Sequence, residues 1–226
     1  MSFYQQLINA TQAEREYLLQ APAIVACQRG EVTLPRYVAF LTEAYYHVRQ
    51  TVPLLMACGS RLTERHRWLQ DAITEYIEEE RGHDRWILND IAACGADSAA
   101  VEAGEPNFYT EMMVSYAWDS VMRGNPVSFF GMVLVLEGTS VNLATPMAQL
   151  IRQRLQLPEQ AMSYLCSHGS LDQEHIQFFA TLMDRLTDPV EQQAVIHMAR
   201  RMYRLYGDMF RSLPMDTAGV TAEAAA

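Results

Sequence analysis

The sequence has 226 residues, half of them hydrophobic, and a formal net charge of −10 at pH 7. A chain of this length and composition can bury one substantial core, so we expect a single domain. The negative charge disfavours binding to nucleic-acid phosphates or to an anionic membrane surface, because both need clustered cations. All 17 cations are arginine. The absence of lysine excludes chemistry that needs a lysine Schiff base, pyridoxal phosphate enzymes included.

The four cysteines lie far apart with no CxxC pair; they are Cys27, Cys58, Cys94 and Cys166. This spacing is typical of free thiols in a reducing cytoplasm and not of a disulfide framework or a zinc knot. The N-terminal segment MSFYQQLINATQ lacks the basic and apolar regions of a signal peptide. No uninterrupted apolar run reaches a membrane-spanning length. We therefore expect a soluble cytoplasmic protein without a membrane partner.

Helix signals recur along the chain, whereas strand signals are nearly absent. We expect seven or eight helices, over residues 3–20, 22–28, 33–62, 63–93, 108–123, 127–155, 158–186 and 188–213. Thr33 and Asp188 are typical N-caps, each with a proline in the following turn. Pro53 should kink its helix without ending it. The prediction is an all-α, single-domain bundle over residues 1–214, followed by a small polar tail over residues 215–226 that we expect to be disordered.

Glu137 is the only ionisable residue between Arg123 and Arg152. The helix around it is apolar on nearly every face, so it should be buried on nearly every face. A lone carboxylate in such a helix must be protonated, paired or bound to metal, because its desolvation is costly. Taken alone, the pattern fits a metal ligand and a hydrogen-bonded core carboxylate about equally well.

The segment HGSLDQEH places His168, Asp172 and His175 at spacings of four and three. On a helix these side chains would share one face over two turns. Two imidazoles and a carboxylate are ligands suited to iron or manganese. A solvated surface stripe is the alternative, which is less favoured because the chain has only six histidines.

The segment EEERGHDRW places Glu80 three residues before His83 on one predicted helix. Glu-x-x-His is the ligand pair that di-iron carboxylate bundles present from facing helices. Glu79, four residues before His83, competes for the same role. By itself, a run of charges on a helix is usually a solvated face.

Together these segments predict a metal site made of Glu80, His83, Glu137, His168, Asp172 and His175. The set matches the ligand composition of a di-iron site, with Glu137 as the bridging and catalytic carboxylate. A single-metal site made from a subset of these residues would also activate O2. Zinc is less favoured because no cysteine lies beside these residues. Glu43 and His47 could add a ligand, could orient a metal-bound imidazole, or could be ordinary core residues.

The sequence resembles the heme-oxygenase-like di-iron oxidases. These belong to the helical superfamily that also holds heme oxygenases, thiaminase-II proteins and pyrroloquinoline-quinone synthases. The likeness lies in EERGHDRWILND, in VLEG around Glu137 and in HGSLDQEHIQFF, with a weaker match at YYHVRQTVPLL. The resemblance implies a heme-oxygenase-like bundle that binds two irons, fully or partly occupied or replaced by manganese. It also implies O2 as co-substrate, a small-molecule substrate and a homodimer.

The function implied by the resemblance is oxidation of an amine, amino acid or fatty acid, by N-oxygenation or carbon–carbon bond cleavage. Heme binding is disfavoured, because heme oxygenases need a histidine in their first helices and none precedes His47. Two other functions of the superfamily stay open. They are a metal-free thiaminase-II-like hydrolase, with Cys166 as the candidate nucleophile, and a cofactor-free oxidase similar to the pyrroloquinoline-quinone synthases. A non-catalytic helical binding protein would use Glu137 as a core carboxylate.

Overall fold

The computed structural model describes residues 1–215, apart from the side chains of residues 168–174. Within these residues all regular structure is helical, which confirms the all-α prediction. The predicted tail, except for Met215, lies outside the described residues. The α-helices are α1 Phe3–Ala10, α2 Gln12–Leu19, α3 Pro22–Gln28, α4 Leu34–Val48, α5 Thr51–Arg61, α6 Arg67–Glu80, α7 His83–Ala93, α8 Ser98–Ala103, α9 Phe108–Arg123, α10 Phe130–Leu155, α11 Ser163–Arg185 and α12 Pro189–Ser212.

Three helices that the sequence predicts as continuous are each broken in two. The first is interrupted at Thr11, whose hydroxyl donates to the carbonyl of Leu7 at 2.8 Å. The second ends at Val48, before Pro53 is reached, so the prediction of a kink at the proline is wrong. Pro53 instead lies in the first turn of α5, where a missing N–H costs nothing because that position has no intrahelical acceptor. The third break, at Gly82, lies within the predicted metal site.

The predicted caps at Thr33 and Asp188 are confirmed. The Thr33 side chain accepts from the backbone N–H of Arg36, and the Asp188 side chain accepts from that of Val190. A short helix, α8, was not predicted and lies in the connection before α9. It begins at a similar cap, in which Asp97 accepts from the N–H of Ala100. Short polar side chains at helix starts therefore set several boundaries in this chain.

Helix α10 is the central element and packs most extensively against α11 and α12. Its first half, from Phe130 to Val135, belongs to a core cluster shared with α12, and Ala144, Ala148 and Ile151 belong to a second cluster shared with α4 and α7. The prediction of burial on nearly every face is correct for the first half. It is wrong for the second half, because the stretch after Glu137 presents exposed polar residues between its buried ones.

By length and composition alone, the segment Pro126–Leu155 is apolar enough to cross a membrane. It is the only such segment among the described residues. In the fold, 61% of its most apolar stretch is buried. Packing against α11 and α12 therefore accounts for much of its apolar character.

The fully buried Asp90 ties the start of α11 to α7. Its carboxylate accepts from the backbone N–H of Ser163 at 3.2 Å and of Tyr164 at 2.9 Å, and it also accepts from the Ser163 hydroxyl. Burial raises the pKa of Asp90, while these hydrogen bonds oppose the rise. Because an N-cap satisfies backbone donors that the helix leaves open, Asp90 fixes where α11 begins.

Gly131 lies where α10 crosses α12 at close range. A Cβ atom there would meet the carbonyl oxygen of Val195 and would lie 2.7 Å from the backbone nitrogen of Ala199. Both atoms belong to the α12 backbone and cannot rotate away. The close crossing therefore requires a residue without a side chain at this position.

The substitution Gly131→Ala should lower the free energy of unfolding by about 1–3 kcal/mol, because α12 must move outward. Gly138→Ala on the same helix is the matched control. Among the described residues, the nearest side-chain atoms would lie 3.8 Å or more from the added Cβ. This variant should therefore be neutral or stabilising by up to about 1 kcal/mol. Urea denaturation measures both changes. Equal effects of the two variants would contradict the close crossing of α10 and α12.

Candidate metal centre

Four helices bring the described members of the predicted site together. Glu79 and Glu80 end α6, His83 begins α7, Glu137 lies on α10 and His175 lies on α11. The two histidines and Glu137 are buried. The Glu80 side chain is nearly buried, at 12% exposure, whereas that of Glu79 is 46% exposed. The centre is therefore a largely buried group of carboxylates and imidazoles with one half-exposed carboxylate at its edge.

His175 lies between two carboxylates. Its Nε2 is 2.8 Å from Oε2 of Glu79, and its Nδ1 is 3.9 Å from Oε1 of Glu137. The edge-to-face contact with the Tyr76 ring, at 6.1 Å between centroids, further restricts the imidazole. Residues from α6 and α10 thus hold the imidazole of α11 from both sides.

The second carboxylate–imidazole pair is Glu80 with His83. Oε2 of Glu80 is 3.1 Å from Nδ1 of His83. The prediction that both residues share one continuous helix is wrong, because Gly82 has a φ of +96° and separates α6 from α7. The left-handed turn still brings the two side chains together. The indole of Trp86 stacks on the His83 ring, with centroids 4.2 Å apart, and sets the plane of the imidazole.

A small cavity links the two pairs. Glu80 and Glu137 both line it, and its volume is about 50 Å³. Its remaining wall is mostly apolar and includes Leu55, Phe129 and Met132. The two carboxylates therefore face a common, nearly dry space between α6 and α10.

Four of the six predicted ligands fall within the described side chains, namely Glu80, His83, Glu137 and His175. The side chains of His168 and Asp172 lie outside the described residues. Their backbone belongs to α11, which runs unbroken from Ser163 to Arg185. The helical spacing on which the HxxxDxxH prediction depends is therefore confirmed, while the ligand roles stay predictions.

Three residues outside the predicted ligand set contact the centre. Glu79 was set aside in favour of Glu80, yet it contacts His175. Tyr76 and Trp86 contact the two imidazoles and were not singled out. Tyr76 lies one helical turn before the glutamates, and Trp86 lies three residues after His83. The i, i+3 and i, i+4 spacings could have identified both aromatic residues.

Glu43 and His47 have other partners. The Glu43 carboxylate accepts from the backbone N–H of Asn107, at 3.2 and 3.4 Å to its two oxygens, just before α9 begins. Burial raises the pKa of Glu43, and bonds from Thr110 and Asn107 oppose the rise. Nδ1 of His47 lies 2.9 Å from the Glu43 carbonyl oxygen, and its ring packs edge-on against Tyr206. These contacts are compatible with core roles, and a part for Glu43 or His47 in the metal centre stays a prediction.

The described donors are compatible with iron. Imidazole nitrogen and carboxylate oxygen are donors that non-heme iron accepts. The 3.9 Å between His175 Nδ1 and Glu137 Oε1 is too long for a hydrogen bond. It is within the span of about 4.2 Å that two donors reach across one metal ion at bonds of about 2.1 Å. Among the described side chains, which leave out positions 168–174 and 216–226, no group of three or more His, Cys, Asp or Glu side chains is arranged to hold a metal ion. A complete ligand set therefore needs the predicted contribution of α11.

The architecture is that of the heme-oxygenase-like all-α proteins, which confirms the predicted fold. A domain of unknown function with this fold from Shewanella denitrificans superposes with a TM-score of 0.82 at 20% identity, over 94% of this chain and 92% of that one. A heme oxygenase from Leptospira interrogans gives 0.75 at 16% identity, over 94% and 100%. A TenA homologue from Pseudomonas syringae gives 0.76 at 12% identity, over 92% and 90%.

The family is shown by the sequence itself. The family model described as iron-containing redox enzyme matches residues 38–207. This chain therefore belongs to that family, and every predicted ligand falls within the matched range. A comparison with the curated proteins gives no significant match.

Cys166, the candidate nucleophile of the thiaminase-II alternative, is exposed. Burial of its thiol together with the nearby carboxylates of Asp90 and Glu159 raises the pKa of Cys166. A thiol with a raised pKa is almost entirely protonated at neutral pH, and the thiolate is the nucleophile. The described surroundings of Cys166 therefore do not favour its thiolate.

The left-handed turn at Gly82 provides a test of how the centre is held. Gly82→Ala should lower the free energy of unfolding by about 1–2 kcal/mol, because a Cβ disfavours this backbone conformation. Gly95→Ala is the matched control, since Gly95 has a φ of +79° beyond the other end of α7. At both glycines no atom of the described residues lies within 4 Å of an added Cβ. Both variants should lose similar stability in urea.

Only Gly82→Ala should also weaken Fe(II) binding, because only that turn joins Glu80 to His83. Gly82→Asn should restore part of both losses, since asparagine tolerates the left-handed region. Equal Fe(II) affinity in the Gly82→Ala and Gly95→Ala variants would contradict a metal centre at this turn.

Proposed function

We propose that this protein is a non-heme di-iron oxidase that uses O2 to oxidise a small organic substrate. The observation that carries the proposal is the pair of carboxylate–imidazole contacts, Glu80 with His83 and Glu137 near His175, whose two carboxylates line one common cavity. Membership in the iron-containing redox enzyme family supports the metal and the reaction type.

Glu80, His83, Glu137 and His175 would hold the iron, together with His168 and Asp172 as the sequence predicts. Glu137 is the natural shared ligand, because its carboxylate lines the same cavity as Glu80 and lies near His175. The desolvation cost of a carboxylate buried in an apolar helix would be offset by metal cations bound to it. The burial of Glu137 is thus explained by the function proposed for it.

Glu79 takes a positioning role in this proposal. A metal-binding histidine commonly donates its second ring N–H to a carboxylate, which fixes the tautomer and orientation of the imidazole. Glu79 lies 2.8 Å from Nε2 of His175, on the side of the ring away from Nδ1 and Glu137. Trp86 restricts the His83 ring by stacking on it. The donors are therefore held in place before metal binds.

Iron held by these residues would supply the electrons that reduce O2. The protein positions the donors and keeps water from the cavity, whose walls include Val48, Leu55, Phe129 and Met132. A dry, preorganised cavity strengthens the electrostatic interactions within it. Amines, amino acids and fatty acids are the substrate classes that the resemblance implies.

Anaerobic titration with Fe(II) tests the proposal. The wild-type chain should bind close to two equivalents, and the loaded protein should consume O2 when substrate is present. Glu137→Ala and His175→Ala should each remove at least one equivalent, because each variant deletes a central donor. His197→Ala is the control and should bind iron as the wild type does, since His197 is exposed on α12. No uptake by the wild type, or equal uptake by all three variants, would contradict the proposal.

The same titration separates a positioning residue from a ligand. Glu79→Ala should weaken Fe(II) affinity by about 10–100-fold without changing the number of equivalents. Glu79→Gln should restore most of the affinity, because the amide oxygen still accepts from His175. Loss of a whole equivalent in Glu79→Gln would show that Glu79 is itself a ligand.

A further inference from the structure

A second cavity lies beside the candidate metal centre and is lined by residues of α3, α4, α10, α11 and α12. Its volume is about 110 Å³ and its walls are almost entirely hydrocarbon. One stripe of α10 forms a long side of it, through Leu136, Leu143, Ala144, Met147 and Ile151. Their spacing is that of a single helical face. The cavity thus extends along α10 from the level of Glu137 toward the end of the helix.

Leu136 is common to both cavities. It lines the apolar cavity and also the smaller cavity onto which Glu80 and Glu137 face. It is only partly buried, in a stretch of α10 whose other residues from Phe130 to Glu137 are buried. The Leu136 side chain therefore forms a shared wall between the apolar cavity and the candidate metal centre.

Among the polar groups around the apolar cavity, Arg36 and Tyr37 have protein partners. The Arg36 guanidinium donates to the carbonyls of Pro214 at 2.9 Å and Glu31 at 2.7 Å. The Tyr37 hydroxyl donates to the Ala161 carbonyl at 2.7 Å. Burial raises the pKa of the Cys27 thiol to about 11, so it carries no charge at neutral pH. The cavity therefore suits an uncharged, apolar group.

Ser140 is the exception, and it lies near the metal centre. It is three residues after Glu137 on α10 and lines the apolar cavity. Its Oγ atom is buried and has no hydrogen-bond partner within the described part of the chain. A buried hydroxyl without a partner can donate to or accept from a polar group of a ligand.

We propose that the apolar cavity binds the hydrocarbon body of the substrate, with the polar end of the substrate at Ser140 beside Glu137. The inference rests on the proposed function for the reaction and adds the class of substrate. The cavity, at about 110 Å³, is the size of a small hydrocarbon group, since an apolar cavity of about 150 Å³ in another protein holds benzene. A hydrocarbon-bearing substrate is thereby favoured over a free amino acid, whose two charges would be desolvated.

Calorimetric titration of the metal-free protein with toluene, benzyl alcohol and L-phenylalanine tests this inference. The three probes share a ring and differ in polarity. Toluene and benzyl alcohol should bind, and L-phenylalanine should bind at least tenfold more weakly. Tighter binding of L-phenylalanine than of toluene would overturn the inference.

Variants on α10 locate the binding site. Ala144→Phe should weaken toluene binding at least tenfold, because Ala144 is buried in the cavity wall. Thr145→Phe adds the same ring at the adjacent exposed position and should leave toluene binding unchanged. If Ala144→Phe does not fold, Ala144→Leu, which adds fewer atoms, tests whether toluene binds in this cavity. Ser140→Ala should weaken benzyl alcohol several-fold and leave toluene unchanged. Toluene binding at wild-type strength in both folded Ala144 variants would overturn the inference.

Iron uptake by the same samples separates this inference from the proposed function. Two equivalents of Fe(II) in a wild-type protein that does not bind toluene would overturn the hydrocarbon site alone. Toluene binding that depends on Ala144, in a protein that takes up no iron, would support the cavity and contradict the oxidase. Ala144→Phe with full iron uptake and lost toluene binding is the result that we expect.

Discussion

The burial of one carboxylate in the long, apolar central helix of the bundle determines much of this structure. Glu137 lies where α10 passes from the core cluster shared with α12 to the one shared with α4 and α7. Its desolvation must be offset by cations or hydrogen-bond donors, since an uncompensated buried charge is strongly unfavourable. His175 and the cavity shared with Glu80 provide the surroundings in which iron would supply that compensation.

The rest of the fold holds the helices that face this carboxylate. Asp90 joins α7, which begins with His83, to the first residues of α11, which carries His175. Gly131 lets α12 approach α10 closely. In a functional centre built from several helices, the side chains must be held within about 0.5 Å of their productive positions. These contacts between helices are therefore as important to the site as the donors themselves.

The all-α fold and the existence of helices α3 and α9–α12 could be predicted from sequence, because their caps and apolar periodicity agree. The break at Gly82 was missed because the surrounding pattern of apolar and charged residues continues through it. A glycine within a helical pattern predicts a left-handed turn only when tertiary contacts favour one. The burial of α10 was overestimated beyond Glu137, since composition alone does not show which face a neighbouring helix covers.

The residues of the candidate centre could be predicted more completely than the contacts between them. Helical spacing predicted Glu80, His83 and His175 as ligands, and the lone carboxylate in an apolar helix predicted Glu137. It did not show that Glu79 contacts His175 from another helix. Contacts between helices depend on crossing angles and on side-chain direction, neither of which a single sequence specifies. The apolar cavity beside Leu136 likewise depends on how five helices pack together, which no local sequence pattern specifies.

Anomalous diffraction at the iron edge, from crystals of the Fe(II)-loaded protein, tests the metal centre most directly. The proposal predicts two iron peaks beside the Glu137 carboxylate, one near Glu80 and His83 and the other near His175. Iron bound elsewhere, or no iron beside Glu137 in a protein that is fully folded, would contradict it.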